Sequence, residues 1–276
     1  MVASLRRERH DVVVWNRTYS KAQAVADATG AEVAATAAEA ARGASFVLTS
    51  LADDAAVEKV FVGSEGVVEG LDPGTIVMEM STIAPRTVLD LRSPVEDRGA
   101  ALLDAPVSGS VSFAEAGTLT IMVGGEAEAV DRARPVLEAL STKLLHVGDL
   151  GAGATMKLAV NAIVHGLDVA LSEALVLAEK TGVNRAAAYE VFANSAVAAP
   201  FVLYKQEAFV HPEEAPVAFS LDLVDKDLEL ILDLAGSVGA QMEQGETNRL
   251  VVRQALEAGL GDRDLSAIAV LLRERG

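Results

Sequence analysis

The order of strand-like and helix-like segments is the feature that most restricts how this chain can fold. Up to residue 147, short runs rich in Val, Ile and Leu alternate with helical stretches, and after Gly148 only helical patterns follow. Continuous apolar runs of this length are typical of strands that are covered on both faces. The alternation therefore predicts a doubly wound parallel α/β sheet over residues 1–149, followed by an all-helical domain over residues 150–276.

A long apolar helix, predicted to run from about residue 154 to residue 180, opens the helical half. Lys157 and Asn161 lie one turn apart on this helix, so their side chains project from the same face. Polar side chains on so apolar a helix require an explanation, because burying a polar group without a hydrogen-bonding partner costs free energy. One interpretation places both at a catalytic cleft between two domains. The alternative, which spacing alone favours, is a lysine whose stem lies on apolar surface while its amine reaches water.

The overall charge narrows the classes of partner. The formal net charge is −17, which argues against nucleic acid, because phosphate binding requires a basic face. A small acidic substrate remains possible, since it needs only a local positive site. We therefore expect that the protein does not bind nucleic acid.

Cysteine and histidine usage also narrows the chemistry. The chain has no cysteine, so disulfides and thiolate chemistry are excluded. Its four histidines show no metal-ligand spacing, and no apolar run extends without interruption for the roughly 18 residues of a membrane span. We expect no metal and no membrane insertion, and a cytoplasmic location.

The beginning of the sequence lacks a feature that a dinucleotide-binding domain normally has. Such a domain starts with a strand, a Gly-x-Gly-x-x-Gly turn and a helix whose N-terminus holds the pyrophosphate. The sequence instead begins within a helix that precedes residues 12–15. We expect the true start to lie upstream; the alternative is a version of the domain that binds a dinucleotide poorly. Without its central strand we expect the sheet to expose hydrogen-bonding edges.

Asn16-Arg17-Thr18 follows the first recognisable strand, where a dinucleotide fold meets the adenosine ribose. An acidic residue there would select NAD, whereas a guanidinium suits the 2′-phosphate of NADP. The sequence therefore favours NADP, with NAD possible. The alternative is a solvated arginine in a turn.

Leu51-Ala52-Asp53 and Ser81-Thr82 follow two later strands. Ligands bind at this carboxyl edge of open α/β sheets, so these residues are candidates to line a cofactor site. Helix capping by Asp53 and Ser81 is the alternative role.

Ser108-Gly109-Ser110 lies in a segment, residues 105–117, that reads as a loop. Its hydroxyls and amides could hold a substrate carboxylate, although a simple turn has the same composition. Lys226 lies in a charged segment of a later helix and could reach a cofactor, but a solvated helix face explains it better from spacing. His165, two turns after Lys157, reads as packing or interface.

Several of these motifs occur together and in order, and together they resemble the β-hydroxyacid dehydrogenase family, which includes 3-hydroxyisobutyrate dehydrogenases and glyoxylate/succinic semialdehyde reductases. The segments that carry the resemblance are Val14-Trp-Asn-Arg-Thr18, Met80-Ser-Thr-Ile83, Asp104-Ala-Pro-Val-Ser-Gly-Ser110, Ala114 with Gly117-Thr-Leu119, Gly151-x-Gly-x-x-x-Lys157-x-x-x-Asn161, Lys226-Asp-Leu228 and Gly261-Asp-Arg-Asp264 with Ser266-Ala267. The resemblance covers essentially the whole chain.

The resemblance implies a Rossmann domain, a helical domain that pairs with a second subunit, and a small carboxylate substrate. It implies Lys157 as the acid/base with Asn161 as its partner, and Ser108 and Gly109 as carboxylate-binding residues. It also implies that Leu51, Ala52, Thr82 and Lys226 contact the cofactor. Departures from the family pattern are Ser110 and Ala162 where a second Gly and a second Asn are frequent, and Ala52 in place of a frequent Pro.

The expected activity is interconversion of a small 3-hydroxy acid and its semialdehyde. Hydride reduction of a carbonyl leaves an oxyanion that needs a proton, and oxidation of the alcohol needs a base; a partly desolvated lysine serves both. The alternatives are an imine reductase, whose relatives usually lack the motif lysine, and a non-catalytic dimeric relic.

Overall fold

The computed structural model describes residues 1–275, which form two compact units. The first unit is Met1–Lys157, and the second begins at Leu158. The division falls inside the long helix, which belongs to both units.

The first unit alternates strands with helices, as predicted. Its strands are β1 Val13–Val14, β2 Glu32–Val33, β3 Phe46–Thr49, β4 Ile76–Glu79, β5 Ala101–Asp104, β6 Val107–Ser108, β7 Leu119–Gly124 and β8 Ser141–Gly148. Its helices are α1 Val2–Arg7, α2 Tyr19–Thr29, α3 Ala37–Ala41, α4 Asp54–Val62, α5 Val67–Gly70, α6 Pro85–Asp90, α7 Arg92–Glu96, α8 Val111–Ala116 and α9 Ala127–Glu138.

The strands form two separate sheets within this unit. β1 and β2 pair in parallel as a two-stranded sheet, and a six-stranded sheet has the order β3-β4-β5-β7-β6 with β8 also paired to β7. β3, β4 and β5 are parallel, whereas β7 runs antiparallel to β5 and β6. The doubly wound α/β class is therefore confirmed, but the sheet is mixed and not wholly parallel.

The antiparallel part arises in residues 105–117, where a loop was predicted. After β5 the chain continues as β6 along the same partner strand, and α8 then reverses its direction into β7. Two-residue β6 is too short to show an alternating pattern, and six-residue α8 is too short to show a helical period. The prediction of a loop was wrong for this reason.

The strand predicted as buried over residues 12–15 is shorter and more exposed than expected. Only Val13 and Val14 are extended and paired, and Val13 is 46% exposed. β1 has a single neighbour, β2, in a separate sheet, so one of its edges and part of its surface remain uncovered. The apolar run predicted a buried strand covered on both faces, and the exposure of Val13 contradicts that prediction.

Helices cover both faces of the larger sheet. Ile76 and Met78 of β4 point to a cluster that includes α9, while Val77 between them points to a cluster that includes α4 and α7. This period of two is the strand geometry that the doubly wound fold requires. Trp15 and Leu51 are partly buried against the second cluster.

The predicted helix over residues 86–98 is two helices, α6 and α7. Pro94 lies within α7, and a proline inside a helix removes one backbone donor and clashes with the carbonyl four residues earlier, here that of Asp90. α6 ends at Asp90. The break is therefore encoded by one residue.

The second unit contains no strand among its described residues, apart from an isolated bridge between Ser220 and Asp264. The helical class predicted for this half is confirmed. The predicted helix over residues 199–209 divides into two short ones. Its elements are α10 Ala152–Lys180, α11 Arg185–Ala193, α12 Pro200–Tyr204, α13 Gln206–Val210, α14 Leu221–Val238, α15 Glu243–Glu257, a 3₁₀ turn Leu265–Ala267 and α16 Ile268–Glu274.

α10 is long and apolar enough to cross a membrane by length and composition alone. Its buried residues include Leu158, Val169, Leu171 and Leu175, which pack in the core of the helical unit. Core helices of globular proteins have the same composition, and we interpret α10 as one of them.

The start of α10 is fixed to the larger sheet by Asp104, the last residue of β5. The carboxylate accepts hydrogen bonds from the Gly151 amide at 2.9 Å and the Ala154 amide at 2.6 Å. Gly151 has φ +93°, which favours glycine. A Cβ at Gly153 would lie 2.7 Å from the Asp104 carbonyl oxygen and 2.6 Å from that of Met122. Glycine is therefore required at position 153 by the close approach of the helix to the strand, and it is favoured at position 151 by the backbone conformation.

Gly153→Ala tests this close approach. The added methyl group would overlap two backbone carbonyls that cannot move independently, and such overpacking lowers the free energy of unfolding by about 1–3 kcal/mol. Gly236→Ala in α14 is the matched control, because its Cβ would meet no atom within 4 Å. The control should gain up to about 1 kcal/mol from helix propensity. Urea unfolding of both variants measures the difference, and equal effects would contradict the packing argument.

Candidate active site

Two loops at the carboxyl edge of the larger sheet are joined by hydrogen bonds. The Leu51 amide, beyond β3, donates to the Ser81 hydroxyl, beyond β4, over 2.7 Å. Leu51 and Thr82 are half-buried, and Ala52 is exposed. The structure thus brings together the segments around Leu51 and Thr82 that sequence analysis proposed for cofactor binding.

Glu79, the last residue of β4, lies beneath this junction and was missed by sequence analysis. Its carboxylate accepts hydrogen bonds from the Thr49 hydroxyl at 3.0 Å and from the Ser81 amide at 3.0 Å. The Ser81 hydroxyl also donates to it at 3.2 Å. Burial raises the pKa of Glu79 to about 7, although the hydrogen bonds from Ser81 and Thr49 offset part of that rise. A charged residue inside the apolar run of β4 was the available signal.

The two aspartates that follow Leu51-Ala52 have different roles. Asp53 caps α4 by accepting from the Ala56 amide at 2.7 Å, as the capping alternative predicted. Asp54 instead accepts from the Ala84 amide at 2.9 Å and from the Thr87 hydroxyl. It therefore ties α4 to the start of α6 and supports the loop that contains Thr82. Ser81 does not cap a helix, since its hydroxyl is used between the two loops.

The turn after β1 is built by Asn16. Its side-chain oxygen accepts from the Thr18 amide at 2.9 Å, which folds the segment just before α2. Arg17, at the tip of this turn, is exposed. The turn presents a guanidinium to solvent at the end of a strand, an arrangement that suits a phosphate.

The segment around Ser108 ends β6 and begins α8. Gly109 has φ +134°, and a Cβ there would lie 3.0 Å from side-chain atoms of both Leu119 and Phe113. Ser108 is half-buried, and the Ser110 and Ser112 hydroxyls are 2.8 Å apart. The backbone conformation and the close packing at position 109 both require glycine. This specific requirement favours a loop of defined conformation over a simple turn.

Lys157 and Asn161 lie one turn apart on the continuous helix α10, as predicted. Lys157 is half-buried, whereas Asn161 is buried. The Asn161 amide donates to the Asp227 carboxylate of α14 over 2.5 Å. Asn161 is therefore oriented by a fixed partner.

Asp227 gathers three side chains in the second unit. Besides Asn161, the Lys226 amine lies 2.9 Å from its carboxylate and His165 Nε2 lies 3.5 Å from it. Burial opposes ionisation of Asp227, but its contacts with His165 and Lys226 outweigh burial and lower its pKa. Lys226 thus forms an ion pair with its neighbour in the helix. It is therefore more than a residue of a solvated helix face.

His165 is buried and stacks on Phe219, with ring centroids 6.1 Å apart. This agrees with its interpretation as a packing residue, with the additional contact to Asp227. Asp168, one turn further along α10, is fully buried near Lys205 and Asp264. Burial raises the pKa of Asp168 well above its usual value, while the Lys205 charge opposes the rise. Lys205 and Asp264 form a buried ion pair at 2.7 Å.

No group of three or more His, Cys, Asp or Glu side chains within residues 1–275 is arranged to hold a metal ion. The chemistry of the described side chains is instead that of hydrogen-bonded carboxylates, amines and hydroxyls.

Comparison with known proteins covers both units. Residues 1–148 match the family model described as the NAD binding domain of 6-phosphogluconate dehydrogenase. Residues 151–272 match the model described as NAD-binding of NADP-dependent 3-hydroxyisobutyrate dehydrogenase.

Individual relatives agree with these matches. NAD-dependent L-serine dehydrogenase of Pseudomonas aeruginosa is 34% identical over 251 residues, covering 88% of this chain and 84% of the relative. 3-Sulfolactaldehyde reductase of Escherichia coli is 33% identical over 273 residues, covering 99% of this chain and 91% of the relative.

Solved structures have the same fold. The crystal structure of 3-hydroxyisobutyrate dehydrogenase from Salmonella typhimurium has a TM-score of 0.90 at 27% identity, covering 98% of this chain and 95% of that chain. An imine reductase from Pseudomonas sp. has a TM-score of 0.63 at 22% identity, with 98% and 94% coverage, and that likeness shows the fold alone.

Proposed function

The chain belongs to the β-hydroxyacid dehydrogenase family, and we propose that it interconverts a small 3-hydroxy acid and its semialdehyde with Lys157 as acid/base. The oxidoreductase class and the use of NAD(P) follow from the family. The residue roles, the cofactor preference and the assembly are the parts that we propose. The observation that carries the proposal is the placement of Lys157 one turn before Asn161, whose amide is fixed by Asp227.

The residues at the carboxyl edge of the sheets fit a dinucleotide. The exposed Arg17, on a turn shaped by Asn16 and Thr18, supports binding of a 2′-phosphate, so we propose a preference for NADP over NAD. Leu51, Ala52 and Thr82 would contact the cofactor from their loops, and Lys226 would contact it as the family resemblance implies. The bound dinucleotide would supply or accept the hydride.

Lys157 would handle the proton. In oxidation its amine takes the proton of the substrate hydroxyl, and in reduction it returns that proton to the developing oxyanion. Asn161 would hold the lysine amine or the substrate by hydrogen bonding. Its own orientation is set by Asp227, which accepts from its amide group.

Ser108 and Gly109 would hold the substrate carboxylate. The positive φ of Gly109 and its exposed position support this role. The relatives are named for L-serine, 3-sulfolactaldehyde and 3-hydroxyisobutyrate. We propose a substrate of the same small, anionic or zwitterionic class.

The rival activity, imine reduction, has weaker support. The imine reductases share the fold at low identity, and the presence of Lys157 favours the hydroxyacid branch. A non-catalytic role is disfavoured because the side chains around Asn161 and Asp227 are buried and mutually oriented, which a protein that served only as an interface would not need.

We propose a homodimer, or a higher homo-oligomer, formed through the helical unit, and a cytoplasmic location. Ile163 and Leu177 on α10 are 73% and 68% exposed. They lie fourteen residues apart with the exposed Ala170 midway, so all three share one face of the helix. Such an apolar stripe on the longest helix supports association with a second copy.

Lys157→Ala tests the mechanism. Loss of the acid/base should lower turnover roughly 10²–10⁴-fold, while dinucleotide binding persists. Lys180→Ala, at the exposed far end of α10, is the control and should retain turnover. Rates with a panel of C3–C4 hydroxy acids and semialdehydes measure the effect, and near-normal turnover of Lys157→Ala would remove the proposed role.

Arg17→Ala tests the cofactor preference. A lost charge-assisted hydrogen bond to phosphate is worth about 1.5–3 kcal/mol, so NADPH affinity should fall roughly 10–150-fold while NADH affinity changes little. Arg92→Ala, on the exposed surface of α7, is the control. Binding titrations with both dinucleotides give the comparison; equal losses for the two would show that Arg17 does not recognise the 2′-phosphate.

Ile163→Glu tests the assembly. A charge at Ile163, the most exposed residue of the apolar stripe, should disfavour association. The native protein should therefore sediment as a dimer or larger species and the variant as a smaller one. Val62→Glu, which places the same charge at an exposed valine of α4, should leave the assembly intact. A native protein that is monomeric at micromolar concentration would contradict the proposal.

A further inference from the structure

Glu79 is the acceptor to which both loops at the carboxyl edge are connected. Its carboxylate, 1% exposed, receives the Thr49 hydroxyl from the end of β3 and both the amide and the hydroxyl of Ser81 from beyond β4. The Ser81 hydroxyl in turn accepts from the Leu51 amide. One side chain therefore links the loop of Leu51 to the loop of Thr82.

The Glu79 carboxylate is the acceptor in each of these three hydrogen bonds. An ionised carboxylate is acceptor-only and matches three donor groups, whereas a protonated one has a hydroxyl that must itself donate. Protonation would add a fourth donor to a group of three donors, so the new hydroxyl would lack an acceptor unless the Ser81 or Thr49 hydroxyl reversed its role. The ionised form is therefore the one that holds both loops as described.

Hydrogen-bond donors stabilise the charge of Glu79. Besides burial, the main influences on its pKa are hydrogen bonds from Ser81, Thr49 and the Met80 backbone, and each of them lowers the pKa. Burial is the largest influence and raises the pKa to about 7. A buried carboxylate in this situation changes its protonation state near neutral pH.

We propose that Glu79 is a positioning residue for the dinucleotide, and that its ionised carboxylate aligns the Leu51 and Thr82 loops for binding. It acts through Thr49 and Ser81 and not by touching the cofactor. This inference rests on the proposed cofactor role of those loops. It adds a residue and a pH dependence that the family match does not assign to this chain.

The proposal gives the direction and size of the pH effect on cofactor affinity. With a pKa of about 7, roughly nine tenths of the protein is in the ionised form at pH 8 and about one tenth at pH 6, so the apparent Kd should rise on the order of tenfold between these values. Cofactor binding should in turn favour ionisation of Glu79.

Calorimetric titration of NADH and NADPH from pH 6 to pH 8 measures this dependence, with no need for turnover. Glu79→Gln keeps the size of the side chain and removes its ionisation. Its Kd at pH 8 should therefore be higher than the native value, and it should not change tenfold between pH 6 and pH 8. Any pH effect that belongs to the dinucleotide is common to both proteins and is subtracted by the comparison.

Thr49→Val provides a second variant that retains Glu79. It removes one donor to the carboxylate and keeps the branched shape, so ionisation should become harder and the midpoint of the Kd profile should move to higher pH. A role in packing alone would not move that midpoint.

Stability measured without cofactor checks the titration independently. The folded-state pKa of Glu79, about 7, lies above its ordinary value of 4.5, so the folded state holds the proton more tightly. The stability that this group contributes is complete below pH 4.5 and is lost as pH rises through about 7. The native protein should therefore lose more thermal stability from pH 5 to pH 8 than Glu79→Gln does.

The outcomes separate this inference from the proposed function. If the native protein binds and Glu79→Gln has the same pH profile, or if Thr49→Val leaves the midpoint in place, the inference is overturned and the cofactor site stands. If the native protein binds neither dinucleotide at any pH, the proposed cofactor site is overturned and the inference with it. A flat profile for Glu79→Gln with a shifted midpoint for Thr49→Val supports the inference.

Discussion

The hydrogen bonds between the Asp104 carboxylate and the amides of Gly151 and Ala154 are the interaction on which the arrangement of the first unit depends. They fix the beginning of α10 to the last residue of β5. Lys157 follows Ala154 by three residues, so the position of its backbone relative to the sheet is set by this contact. Burial raises the pKa of Asp104, while the amides of Ala154 and Gly151 oppose the rise. A helix N-terminus and a buried acid thus stabilise each other.

Buried carboxylates have the same structural role at three places in this protein. Asp104 orients α10, Glu79 connects two loops of the sheet edge, and Asp227 orients Asn161 and Lys226. Each is surrounded by donors, and each lies next to residues that we propose to act on substrate or cofactor. Desolvation makes a buried carboxylate costly unless its acceptors are filled. Its donors are therefore held in narrow geometry, which is what a precise site requires.

Much of the fold could be predicted from sequence because it depends on local patterns. The apolar runs predicted β3, β4 and β5, and the change to helical periodicity after Gly148 predicted the second unit. The short elements β6 and α8 were not predicted, because they have too few residues to show a period. Val13 was predicted as buried because an apolar run does not show how many neighbours a strand has.

The candidate site was predictable only where a residue has a recognised motif around it. Lys157, Asn161, Ser108 and Thr82 were proposed as site residues in this way, whereas the supporting acids Glu79 and Asp54 were not. Their partners are about thirty residues away in sequence, at Thr49 and at Ala84 and Thr87. No spacing rule relates residues that meet only when neighbouring strands pair.

Trp15, the sole tryptophan of the chain, packs against the same cluster as Leu51. Indole emission responds to the polarity and mobility of its surroundings, so this residue is an intrinsic optical reporter for one side of the sheet edge. When excitation is selective for indole over the three tyrosines, Trp15 is the single emitter, and changes in its spectrum can be attributed to that region without labelling. The position of one ring thus makes the molecule suited to rapid-mixing spectroscopy.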